Sequence, residues 1–244
     1  LFWIITAAFF SPLFGGKELI QSDIDSHRGM TKSIVDHREK FNEEPLWCDA
    51  MFSGMPAHQL SVIYPYNLVN KITKGFTYIM PHPATIVFLC MVGFYFLLLT
   101  FKLDPWLGAL GAIAFGLSSY FVIILPAGHN SKGFAIAYMA PVLMGMLLTF
   151  RGKLWIGGAL TELAMALEIE AGHLQITYYL MMLILFVAIG ETIRLLVAKQ
   201  FKQLAKVSAV LLVAVFLGLI PNMGSLLLTN EYVKVSTRGG SEIT

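Results

Sequence analysis

The feature that most constrains this chain is the recurrence of apolar runs as long as a bilayer is thick. A helix needs about 20 apolar residues to cross the hydrocarbon core. Such runs stand at 83–101, 106–125, 133–150, 154–171, 173–190 and about 207–228, with a shorter one at 1–15. Hydrophobic residues make up 57% of the 244 and charged residues 13%, where soluble domains carry about 25% charged residues. A soluble protein of this length cannot hide so much apolar side chain, so lipid must act as its solvent. The sequence therefore predicts an all-α, polytopic transmembrane helix bundle with seven spans in one domain. A secretory signal is the alternative for 1–15, although neither a basic n-region nor a small-residue cleavage site is visible there. Leu1 stands inside an apolar run and Arg238–Glu242 is polar without a closing element, so the chain is expected to continue past both ends.

Charges in short connections orient the bundle. Lys102, the Arg151/Lys153 pair and the Arg194, Lys199, Lys202, Lys206 cluster fall in alternate connections, which places them together on the cytoplasmic side. The connection 126–132 on the other face carries only Lys132, and the long loop 16–81 then lies outside. The net charge of +2 is too small to point to a nucleic-acid partner. Cys48 lies in the polar loop and Cys90 in an apolar span, so no disulfide is expected.

The loop 16–81 is too long and too patterned for a simple connection. Residues 26–40 alternate apolar and charged positions at helical spacing, with Met30, Ile34 and Val35 available to face the membrane surface or the bundle. The stretch from Pro45 to Tyr66 is rich in Trp, Met, Phe and Tyr, a composition suited to the headgroup region. A small cap of amphipathic helices on the extracytoplasmic face is the expectation; a cap that only packs is the plainer alternative.

Ionisable groups inside spans are costly and usually face the protein interior or a hydrated cavity. Counting from Lys153 at 1.5 Å per residue, Glu162 lies roughly 14 Å in, and Glu168 and Glu170 roughly 23 and 26 Å in, near the outer edge. His173 and Gln175 follow at the next turn, and His129, Asn130 and Lys132 emerge from the 126–132 connection at the same depth. Each has a plain alternative: Glu162 as a hydrogen-bonded packing residue, Glu168 and Glu170 as solvated groups, Lys132 as a snorkelling topology charge. Their coincidence at one depth favours a site.

Asp23-Ile24-Asp25 follows the first apolar run, with His27 and Arg28 just beyond. Two carboxylates two residues apart share one cavity if the backbone is extended, and can then hold a hard divalent cation such as Mg²⁺ or Mn²⁺. Alternatively, one serves as general base toward a hydroxyl acceptor. Arg28 is suited to phosphate.

An outer loop with acids directly after the first span, over a multi-span bundle, resembles the GT-C class of polyprenyl-phosphate-sugar-dependent glycosyltransferases. More narrowly, the chain resembles the YfhO-like bacterial membrane proteins. The resembling stretches are Gln21–Met30, Glu44-Pro45-Leu46-Trp47, Met51–Pro56, Gly128-His129-Asn130-Ser131-Lys132, Gly172–Tyr179 and Arg238-Gly239-Gly240-Ser241-Glu242. The resemblance implies transfer of a sugar from a polyprenyl-phosphate donor to a cell-envelope glycan or polymer, on the outer side of the bacterial cytoplasmic membrane. It also implies that an acid of the first loop, here Asp23 or Asp25, acts as base or helps to hold a metal.

The resulting expectation is an inverting transfer. Asp23 or Asp25 deprotonates the acceptor; Arg28, His129 and Lys132 hold the departing phosphate; and Asn130, Glu162, Glu168, Glu170, His173 and Gln175 contact substrate. A transporter or flippase of lipid-linked intermediates is the first rival, favoured by the midplane Glu162. A non-catalytic membrane scaffold is the second.

Overall fold

The structure is a computed structural model that describes residues 1–236. Within them the chain is mainly helical, with almost no sheet. Its helices are α1 (Phe2–Phe9), α2 (Ser11–Phe14), α3 (Ser22–Phe41), α4 (Leu68–Ile79), α5 (Ala84–Thr100), α6 (Pro105–Gly116), α7 (Ser119–Ala127), α8 (Asn130–Phe150), α9 (Leu154–Glu170), α10 (Leu174–Val197), α11 (Phe201–Leu219) and α12 (Met223–Val235). The only strands among the described residues are β1 (Trp47–Cys48) and β2 (Met55–Pro56), an antiparallel pair. The described residues divide into two compact units, 1–20 with 68–221, and 21–67 with 222–236.

Four helical stretches are long and apolar enough to cross a membrane: Pro105–Ala127, Asn130–Phe150, Leu174–Val197 and Phe201–Lys234. A fifth is available if α4 and α5, bent by 101° at the break between them, count as one broken span. Pro81 and Pro83 occupy that break, where proline removes a backbone donor and obstructs the preceding turn. The run 106–125 is not one uninterrupted helix, because α6 ends at Gly116 and α7 begins at Ser119. Residues 1–15 form α1 and α2, joined at Phe10. The run 207–228 falls across α11, a 3-10 turn at Ile220–Asn222, and α12.

The first unit is organised around α8, with α5 and α9 against it. Two small residues on each of α8 and α9 set the closest crossing. A Cβ on Gly145 would stand 2.6 Å from the Thr161 nitrogen, and one on Gly157 would collide with Thr149. Thr149 donates to the Gly145 carbonyl at 2.9 Å, and Thr161 to the Gly157 carbonyl at 2.8 Å. Each threonine thus satisfies its hydroxyl within its own helix and leaves the glycine face free for the partner. Small residues spaced four apart let membrane helices approach backbone to backbone, gaining dispersion where no hydrophobic effect operates. A second close approach, of Gly93 to Pro141, seats α5 on α8. Apolar clusters complete the interior: Ile86, Met91, Phe121 and Ile124 toward one end, and Met146, Phe150, Leu195 and Val207 toward the other.

Burial within the protein is uneven. In the most apolar window of α8, 61% of residues are buried, against 11% in that of α10. Leu185, Phe186, Ile189 and Ile193 of α10 all lie exposed. So large an apolar surface is untenable in water and suits lipid contact.

The second unit has a small core of its own. Ile34 of α3 packs with Cys48, Ala57 and Leu60, so Ile34 serves this local core while Val35 is exposed. Arg38, near the end of α3, forms an ion pair and two hydrogen bonds with Glu44, one of them at 2.7 Å from Nε. It also donates to the Ser61 hydroxyl at 3.1 Å and to the Ser61 carbonyl at 3.0 Å. One guanidinium thereby ties both ends of the 42–61 segment to α3. His27 Nε2 lies 3.0 Å from the Leu60 carbonyl. Cys48 and Cys90 are both free thiols.

Candidate functional site

Two turns of the first unit are built alike. In each, a glycine in the left-handed region closes one helix and a histidine immediately opens the next. Gly128 has φ +98° and Gly172 has φ +73°, values at which a Cβ would be strained. His129 is the N-cap of α8 and His173 the N-cap of α10. The local sequence Gly-His therefore fixes where two of the expected site residues emerge.

His129 is exposed, while Asn130 and Lys132, in the first turn of α8, are half-buried. His173 is half-buried too, and its Nδ1 accepts from the Ile176 backbone N–H at 3.4 Å. Partial burial holds His173 below the ordinary histidine value, and the nearby charges of Lys132 and His129 act in the same direction. The two Gly-His turns therefore lie in the same neighbourhood, within electrostatic reach of each other. A lowered value accords with its role as acceptor toward Ile176, which needs an unprotonated Nδ1.

The acids of α9 part company. Glu170 is held by α4: Asn70 Nδ2 donates to one carboxylate oxygen at 2.8 Å and the Thr73 hydroxyl to the other at 3.0 Å. Tyr138 of α8 is buried within electrostatic reach of Glu170. Glu168 points elsewhere, since residues two apart on a helix diverge by about 200°. It is fully buried, and neither oxygen has a hydrogen-bond partner among the described residues. The Thr177 hydroxyl of α10 donates instead to the His173 carbonyl, at 3.4 Å. Gln175 is exposed and donates to the Tyr179 hydroxyl at 2.9 Å. Glu162 is half-buried in mid-helix, and a Cβ on Gly218 of α11 would come within 2.9 Å of its backbone carbonyl. Its carboxylate makes no hydrogen bond among the described residues.

Sequence reasoning missed Asn70, Thr73, Tyr138 and Thr177. The first two come from a segment about a hundred positions away along the chain, and no local pattern links them to Glu170. The repeated Gly-His pair was a readable sign that two turns of the first unit share one design.

In the second unit, Asp23 and Asp25 lie in the first turn of α3. The extended backbone that would let both face one cavity is not what forms. An acid in the first helical turn is favoured by the helix dipole, and the chain takes that option. The two carboxylates diverge, both exposed, and Asp25 pairs with Arg28 at 3.4 Å. As held in this helix, the pair does not fit a two-carboxylate grip on a divalent cation. Among the described residues no group of three or more His, Cys, Asp or Glu converges for a metal ion.

The first unit also holds a cavity of about 270 Å³. Its walls are chiefly apolar, among them Phe9, Leu13, Val87, Leu117 and Phe121, with Lys17 and Glu18 also lining it. It extends to Leu125 and Pro126, the residues just before the Gly128 turn. The stretch Arg238–Glu242, quoted above for the resemblance, lies outside the described residues. No family model, curated protein or solved structure matches the chain.

Proposed function

We propose that this protein is a membrane glycosyltransferase of the GT-C kind. It takes a sugar from a polyprenyl-phosphate donor and delivers it to a cell-envelope acceptor, on the outer face of the bacterial cytoplasmic membrane. The observation that carries this reading is the electrostatic proximity of His129, Lys132 and His173 at two matched turns, with an apolar cavity whose lining ends at Leu125 and Pro126, shortly before the first of them. A prenyl chain needs an apolar lining, and the phosphate it carries needs donors and positive charge where the leaving group develops. Lys132 and His129 supply the donors, and Glu170, already held by Asn70 and Thr73, is placed to orient a sugar hydroxyl. The resemblance assigns the base to Asp23 or Asp25. Of the two, we favour Asp23 as the base.

The test is transfer from lipid-linked sugar in membranes carrying the full protein, with a parallel search for lipid-linked sugar that accumulates in cells lacking it. A general base contributes about 10²–10⁴-fold in rate, so Asp23→Asn lowers transfer by that order while insertion and expression stay normal. Lys132→Ala lowers it as well. Transfer at the wild-type rate by the Asp23→Asn/Asp25→Asn double variant overturns the assignment of the base. Absence of any accumulated lipid-linked sugar overturns the reaction class.

A transporter or flippase of lipid-linked intermediates is the second reading, favoured by the half-buried Glu162 in mid-helix. It predicts translocation by proteoliposomes that depends on Glu162 and is indifferent to Asp23.

A further inference from the structure

Helix α4 has three distinct edges. At about 100° per residue, Val69, Asn70, Thr73 and Phe76 fall on one side, and this is the side that packs: Val69 and Phe76 join Tyr138, Ala166 and Leu167, and Asn70 and Thr73 bind Glu170. A second edge carries Leu68, Ile72 and Ile79, within about 40° of one another and 69%, 38% and 52% exposed. The third carries Lys71, Lys74 and Tyr78, within about 60° of one another, with both lysines exposed and Tyr78 92% exposed. The helix contains no acidic residue, so the lysines have no partner on their own helix.

The axis of α4 lies at 101° to that of α5, so with α5 along the bilayer normal α4 runs in the membrane plane. Its end is tied to α1 by Trp3, whose indole donates to the Ile79 carbonyl at 3.0 Å, and tryptophan favours the interface. One edge of such a helix must meet hydrocarbon and the next must meet headgroups. The apolar edge satisfies the first demand. On the second, two lysines whose stems can lie along the apolar boundary present positive charge beside a tyrosine hydroxyl. Charge complementarity selects the partner: lipid headgroups with net negative charge over zwitterionic ones.

We propose that α4 is an interfacial helix whose Lys71–Lys74–Tyr78 edge binds the headgroups of anionic phospholipid, while Leu68, Ile72 and Ile79 enter the acyl region. This surface stands apart from the proposed reaction and holds whichever chemistry the protein performs. The test uses the full chain in vesicles. Ile72→Cys carries a fluorophore, Cys48 and Cys90 being buried, and quenching by phosphatidylglycerol with brominated acyl chains is compared with quenching by brominated phosphatidylcholine. Phosphatidylglycerol is expected to be enriched at the probe, on the order of tenfold in relative affinity at low salt. High salt and Lys71→Gln/Lys74→Gln both bring the ratio close to one. Equal quenching by the two lipids in the wild-type background, or a preference that survives loss of both lysines, removes the headgroup site. Quenching by neither lipid overturns the interfacial placement itself.

Discussion

The two units solve the same problem, holding a chain together, with opposite materials. In the first, the closest contacts are backbone against backbone at Gly145 and Gly157, and hydroxyls are turned inward onto their own helices. In the second, a small apolar core around Ile34 is closed by one guanidinium that holds both ends of an irregular segment to its helix. The bundle relies on the absence of side chains, the smaller unit on the reach of a long one. Steric insertion should therefore damage the bundle most, and loss of a charged group should damage the smaller unit most.

The largest expected effect follows from Gly157→Val, which places branched carbons against Thr149. We expect a loss of about 3 kcal/mol, the upper part of the range for overpacking, seen as a fall in thermal stability in detergent. Unchanged melting would mean that the crossing of α8 and α9 is looser than described. Next is Arg38→Ala. Removing its bonds to Glu44 and Ser61 is expected to cost about 2 kcal/mol, as for hydrogen bonds to charged groups. Hydrogen exchange should quicken across 42–61 while α8 and α9 keep their protection; uniform loss of protection in both units would erase the contrast drawn here. Smaller still is Thr73→Val, which removes one donor from Glu170 at nearly constant shape and should cost about 1 kcal/mol. The smallest is a pH effect at Glu44. Its hydrogen bond with Arg38, and then the guanidinium charge, hold its carboxyl below the ordinary 4.5. The stabilisation is therefore complete above the unfolded value and is lost as pH falls through the lower, folded one. Because a third of the side chain is exposed, solvent screens the pair and the effect is small. Tryptophan emission from the Trp47 region should respond below pH 4.5 in the wild type and stay flat in Glu44→Gln.

The sequence is legible where burial and composition coincide. Apolar runs mark the helices α5 and α8 to within a few residues, because hydrocarbon-length segments leave little alternative, and residues 26–40 announce α3 through their helical spacing. Hydropathy is blind to the break at Leu117–Ser118, since a pause between two apolar helices changes no residue's polarity. It also understates α11, whose first turns carry Lys202 and Lys206 and so look like a connection. α4 escapes a hydropathy reading because its apolar and basic residues average out along twelve positions. Within the candidate site, side-chain direction was not readable: Glu170 is held by Asn70 and Thr73 of α4, while Glu168, two residues earlier, is buried away from them. At Asp23 and Asp25 the helical alternative was present in the residues themselves, acids placed where a helix begins.

The glycine crossing also has a mechanical meaning. Two helices locked backbone to backbone, with threonine hydroxyls folded into each, have no side-chain layer to slide upon, so α8 and α9 act as one plank. His129 and Lys132 ride on one end of it, and Glu168 and Glu170 ride on the same end from the other helix. α10 is largely bare along its length and joined to the plank at that end by the Gly172 turn. It touches the plank chiefly through Leu180 and Leu195, and His173 sits at the turn that joins the two. Motion in this protein is therefore expected as displacement of one helix against a stiff pair.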